Sequence, residues 1–376
     1  MFSRFSGAAL LAVSVGLGTA SCGGNSSSLP GSGANAALSP TAAVRPVDTT
    51  SILKKFKKDV VIGSSVDPSN GDKAPNAITV VAHNYVLKEG QLVVCNFDNS
   101  SGKAGEGTTL EVLDPAPGSK PTRFTQSSEI EGCDGSAVAG NNSVYGSGLT
   151  SGDVEWFSVK GAPLKTYSSM KAPLNDAYAG PQGKYVPDYI FVGSNSGAVS
   201  NISVGSYGTG QALQVISGFP TDKSGPSGQL GPTGLQYEAS IDTLYVVDGA
   251  DNAIYAVTDA SYLLEQNEIV VESGGKTFDC KHPKTTCAHL VYSGSPLNAP
   301  AASALLPNGN LIVANTGGTA NTLVELTPAG QILDTKVVDK SATQGVFGLA
   351  AIGTDDANTA LYFTDTNSNN VQELEQ

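Results

Sequence analysis

Histidine is scarce in this 376-residue chain: it occurs only at His83, His282 and His289, and none stands beside an obvious nucleophile. No G-x-S-x-G elbow, Walker loop or HExxH pair is present, so the common signatures of serine hydrolases, phosphate-loop nucleotidases and zinc peptidases are missing. Charged residues make up 15% of the chain, against ~25% in an average globular protein. Lys and Arg number 21 against 34 Asp and Glu, a net charge of −13. With the lysines mostly dispersed, no basic stripe exists for a nucleic acid to follow. The apolar run Ala8 to Leu17 is too short to cross a bilayer as a helix.

Glycine is plentiful, at 44 residues, and so is repetition. Gly231 to Thr258, GPTGLQYEASIDTLYVVDGADNAIYAVT, shows the organising unit. Pro232 and Gly234 open it, and Leu235 to Ala239 predicts a short strand. After a polar turn, Leu244 to Val247 is a β-branched and aromatic run ending at Asp248. A second turn leads into the alternating strand Ala253 to Val257. The central run recurs from Leu92, Ser143, Tyr189, Leu311 and Leu361, a spacing of roughly 45–65 residues that suits propellers. The sixth unit reaches Gln376 before its fourth strand, while KKDVVIGSS from Lys57 has no partner at the other end. The expectation is therefore all-β: a six-bladed β-propeller of four-stranded antiparallel blades, closed by an N-terminal strand that completes the last blade. Trp156, the single tryptophan, is expected in an inter-blade core.

The pattern P-x-G-Leu, then Leu-Tyr-Val-x-Asp, then a short turn with Asn before an alternating strand resembles the NHL repeat. The resemblance is strongest over Pro232–Val257 and Leu361–Leu374 and extends to Asn298–Leu326. It implies a six-bladed propeller, a fold that serves binding proteins and enzymes alike.

Met1 to Ser21 reads as a secretory signal peptide. Thr19-Ala20-Ser21-Cys22 resembles a bacterial lipobox, with Thr19 where Leu is usual, which implies lipid attachment at Cys22; ordinary cleavage after Ala20 is the alternative. Residues 22–50, rich in Gly, Ser, Asn, Ala and Pro, predict a flexible tether. Residues 51–376 follow as the propeller domain, with a cysteine-bearing insertion at about 262–288. The protein is expected to be exported as a cell-envelope lipoprotein on the periplasmic or cell-surface side. Lys54, Lys55, Lys57 and Lys58 form one basic cluster, read either as the guard of an edge strand or as a contact for anionic headgroups.

Cys280 and Cys287 flank KHPKTT between the third and fourth strands of the fourth unit. In an oxidising compartment they predict a small disulfide. The alternative is a metal site built with His282 and His289, which has suitable ligand types but no second CxxC or HxxxH pair. Cys95 ends a strand in the first unit and Cys133 opens the second, so neighbouring blades can bring them together as a second disulfide. Asp365, Asn367 and Asn369 alternate like the start of an EF-hand loop, but Asn370 stands where Gly is required, so a turn is expected.

In an antiparallel meander the second-to-third turns and the blade-to-blade connections share one face. There the sequence places Asp67, Asp72, Asn76, Asp134, Asn175, Asp176, Thr233 and Asn298, an acidic, amide-rich mouth around the axis. Asn76, Asp134, Thr233 and Asn298 are the candidate binding residues. The mouth is either a solvated rim or a site for a polar ligand or Ca²⁺; no other cofactor is expected. Asn76 is similar in placement to an amide that holds metal in gluconolactonase-like propellers, although the first unit has no Glu-Gly-Pro. No catalytic residue is assigned. The expected function is a non-enzymatic scaffold binding a partner protein or envelope glycan; the alternative is a metal-dependent hydrolase or lyase of the lactonase-like propeller kind.

Overall fold

A computed structural model describes residues 47–168, 170–180, 188–204, 211–223 and 230–376. The signal segment, Cys22 and nearly all of the tether lie outside the described residues.

Six sheets surround one axis. Their inner strands are Lys73–Val80, Cys133–Val138, Pro173–Ala179, Pro232–Glu238, Pro300–Leu305 and Leu349–Ile352. Each contacts the next, and the sixth returns to the first. We number the blades 1 to 6 in this order. The second strand of each blade is sandwiched between neighbouring blades, which explains its unbroken apolar run in the sequence. In blade 1, Val93 and Cys95 pack toward Phe157 of blade 2, whereas Leu92 and Val94 pack toward Tyr362 and Val371 of blade 6. Trp156, half-buried, stacks on Tyr145 with ring centroids 6.1 Å apart and packs against the core shared by blades 2 and 3.

The ring closes as expected. Lys58–Ser64 pairs antiparallel with Asn370–Glu375 and becomes the outermost strand of blade 6. The segment before it is also anchored: Ile52, Leu53 and Phe56 are fully buried beside Leu323, Leu361 and Phe363. Glu325 of blade 5 accepts from Ser51 Oγ (2.6 Å), Leu53 N (2.8 Å) and Ile52 N (3.1 Å). Lys58 pairs with Glu375 at 2.7 Å and Lys55 with Asp356 at 3.3 Å, so two of the clustered lysines serve the closing edge.

The insertion behaves differently from a simple loop of blade 4. It crosses to blade 3, where Ile269–Glu272 adds in parallel to the outer strand Leu213–Ser217 and Thr277–Cys280 adds beyond it. Blade 3 thereby gains two strands over the common four, and its outer edge is covered. The Cys280–Cys287 disulfide, with Cα atoms 5.5 Å apart, ties this hairpin back to blade 4. Cys95–Cys133, at 5.4 Å, joins blade 1 to blade 2. Two disulfides fit an extracytoplasmic, oxidising environment. Among the described residues no helix is long and apolar enough to cross a membrane.

Candidate functional site

Five inner strands break register near their start, between Pro75 and Ala77, Cys133 and Gly135, Pro173 and Asp176, Pro232 and Gly234, and Pro300 and Ala302. Each break is a bulge, whose extra residue leaves the ladder and is re-aimed. The residues it displaces are Asn76, Asp134, Leu174 with Asn175, Thr233, and Ala301. Where a glycine follows the bulge it has a packing reason: a Cβ on Gly135 would lie 2.5 Å from Leu174 O, and one on Gly234 would lie 2.9 Å from Ser303 Oγ. The P-x-G signature is thus the place where one inner strand abuts the next.

These bulges gather around the axis. Asp134, Leu174, Asn175, Thr233, Ala301 and Phe347 surround a constriction of about 20 Å³. Beyond it lies a cavity of about 210 Å³ to which all six inner strands contribute, with Ile78, Ala137, Ala177, Leu235, Ser303 and Ala350 among its walls.

Several of the polar groups at the axis are bonded across blades, while Asp176 Oδ2 is buried with no hydrogen-bond partner among the described residues. Asn76 Nδ2 donates to Asp134 Oδ1 at 2.7 Å, and Ser147 Oγ donates to Asp176 Oδ1 at 2.6 Å. Thr233 Oγ1 donates to the Pro300 carbonyl at 2.9 Å, linking blades 4 and 5. Burial pushes the Asp134 carboxyl up to about 7, with the Asn76 hydrogen bond opposing it. Asp176 also rises to about 7, through burial first, against the Ser147 bond and with the help of Asp134. Two adjacent carboxyl groups therefore change protonation near neutrality.

The structure brings together Asn76, Asp134 and Thr233 but not Asn298. That residue is exposed and its side chain lies against Gly317, where an added Cβ would come within 2.5 Å of Asn298 Oδ1. The position equivalent to Asn76 and Thr233 is Ala301, so blade 5 offers no polar group at the bulge. Asp67 and Asp72 belong to the rim of blade 1. Asp67 receives Arg123 Nε and Nη2, each at 2.6 Å, and Asp72 Oδ2 accepts from Thr108 N at 2.8 Å. Arg123 was not singled out from the sequence, yet it is the only arginine among the described residues, and that rarity is a usable signal.

The metal alternative at Cys280 and Cys287 is overturned, because both thiols are consumed in a disulfide and His282 Nε2 lies 3.3 Å from Glu265 instead. Among the described residues no three His, Cys, Asp or Glu side chains converge as a metal-ligand set. Asp365 closes a turn, accepting from Asn367 N at 3.0 Å.

No family model matches the sequence, and no curated protein matches it. Solved structures do share the fold. A virginiamycin B lyase from Staphylococcus aureus superposes with a TM-score of 0.50 at 11% identity, covering 85% of this chain and 99% of that one. A structural genomics protein of unknown function from Bacteroides thetaiotaomicron gives 0.53 at 11% identity, covering 84% and 75%. At such identity the likeness is one of fold, and it places the chain among six-bladed β-propellers.

Proposed function

We propose that this is a non-enzymatic, exported propeller scaffold, lipid-anchored at Cys22, that holds a partner protein or envelope ligand on its faces. The observation that carries this reading is the axial site. Its polar side chains bond across blades, Asn76 to Asp134 and Ser147 to Asp176. The cavity behind them, about 210 Å³, is below the roughly 300–1,000 Å³ of ordinary small-molecule sites. Those hydrogen bonds support the ring rather than a reacting group. Asp134→Asn and Asp176→Asn, made together, test it: cross-linking in the envelope should capture the same partner as the parent chain, whereas loss of capture with the fold intact overturns the reading.

A hydrolase or lyase is the second reading. It draws on the two carboxyl groups near neutrality at the axis, a range suited to general acid and base work. It requires turnover of a lactone that the double variant abolishes.

A further inference from the structure

We propose that the groove between the outer strands of blades 2 and 3 binds an anionic saccharide, a sugar bearing a carboxylate or a phosphate. The groove encloses about 290 Å³ and is lined by Lys165, Thr166, Tyr167 and Lys171 on one side and Ser200 and Gln214 on the other. Its volume is near the lower end of the roughly 300–1,000 Å³ range of small-molecule sites, enough for one or two sugar rings.

The charge of this groove runs against that of the chain. Acids outnumber bases by 34 to 21, yet among the described residues two lysines and no carboxylate line it. The Lys165 ammonium stands 4.5 Å over the Tyr167 ring, an arrangement that steadies a cation at low cost in side-chain freedom. Lys171 is exposed and makes no ion pair among the described residues.

The backbone under Lys171 is unusual as well. Lys171 and Ala172 have φ of +58° and +60°, two consecutive left-handed residues with side chains, a conformation that costs energy and clusters at functional positions. It is held by the Asn195 N–H, which donates to Ala172 O at 2.9 Å. Across the groove, Gln214 Nε2 donates to Asn267 Oδ1 at 2.7 Å, which fixes the amide and turns its carbonyl oxygen the other way. Two ammonium groups for an anion, with hydroxyls and a fixed amide for a polyol, are the donor and acceptor types such a sugar requires.

This inference deepens the scaffold reading by naming a ligand class, and it uses a surface remote from the axis, so its failure would leave the axial argument standing. Calorimetry on the full mature chain tests it, with tri-galacturonic acid and glucose 1-phosphate as anionic probes and maltotriose as the neutral one. One or both anions should bind, less tightly as salt is raised, and maltotriose about tenfold more weakly or not at all. Lys171→Gln, and separately Lys165→Gln, should weaken the anion by about tenfold with an unchanged melting curve, while Lys54→Gln leaves it unaffected. The anion that binds identifies the carboxylate or the phosphate form. No binding of either anion, equal binding of maltotriose, or an equal loss in Lys54→Gln would overturn the proposal.

Discussion

Asn369, in the last turn of the chain, accepts a hydrogen bond at 2.9 Å from the backbone N–H of Ala74, at the start of the inner strand of blade 1. Asn252 does the same for Ala299 between blades 4 and 5, at 2.6 Å. The turn asparagine of the repeat is therefore a fastener between blades, and at Asn369 it joins the last blade to the first. Asn369 has φ of +57°, which Gly tolerates as well as Asn does, so Asn369→Gly removes the bond without adding strain. We expect it to lower stability by about 1 kcal/mol in denaturant titration, and Asn369→Ala to lower it further.

Glu325 should matter more. Its carboxylate receives two backbone N–H groups and a hydroxyl from Ser51 to Leu53 and, at 3.3 Å, Asn310 Nδ2. Removing it leaves buried donors without an acceptor. Glu325→Ala should cost about 3 kcal/mol and Glu325→Gln less, since one carbonyl oxygen remains. Limited proteolysis should then cut first in the 47–57 segment.

The two disulfides differ in the loop they close. Cys95–Cys133 spans 38 residues and Cys280–Cys287 spans 7. On loop-closure grounds the first contributes about 4 kcal/mol and the second about 2 kcal/mol. Paired Cys→Ala variants compared by equilibrium unfolding should reproduce that order. The buried first pair should also resist mild reductant longer than the second.

Stability should rise as pH falls from 8 to 5. Glu111 is fully buried; burial first, and then the neighbouring Asp67, push it up to about 9. Asp134, Asp176 and Asp248 rise to about 7, chiefly through burial. An acid whose folded pKa is raised binds its proton more tightly when folded, so its contribution is complete below the unfolded value near 4 and is lost as pH climbs through the folded one. Asp67 acts oppositely: burial would raise it, but the Arg123 guanidinium holds it well below the usual range, so its contribution fades only in strong acid. Glu111→Gln should flatten the upper part of the melting-temperature profile and raise the value at pH 8.

Much of the architecture is legible in the residues themselves. Runs such as LYVV and LIVA announce strands buried on both faces, and the unpartnered KKDVVIGSS announces the closing strand. Half-alternating outer strands and the crossing of the insertion to blade 3 are less visible, because edge pairing depends on which open edge is nearest in space. The mouth was readable only in part. Asn76, Asp134 and Thr233 share the position before the small residue of the inner-strand motif, and applying that rule to Pro300-Ala301-Ala302 selects Ala301 over Asn298. The Arg123–Asp67 pair joins residues 56 apart, and no local pattern reports it.

The most direct test of the scaffold reading is elemental analysis of the chain purified without chelator, followed by Ca²⁺ titration of its melting temperature and a lactone-hydrolysis assay on the same sample. The account expects no stoichiometric metal, no Ca²⁺-dependent shift and no turnover. Stoichiometric metal with a saturable rise in melting temperature and turnover lost in Asp134→Asn would contradict it and make the axis an active site.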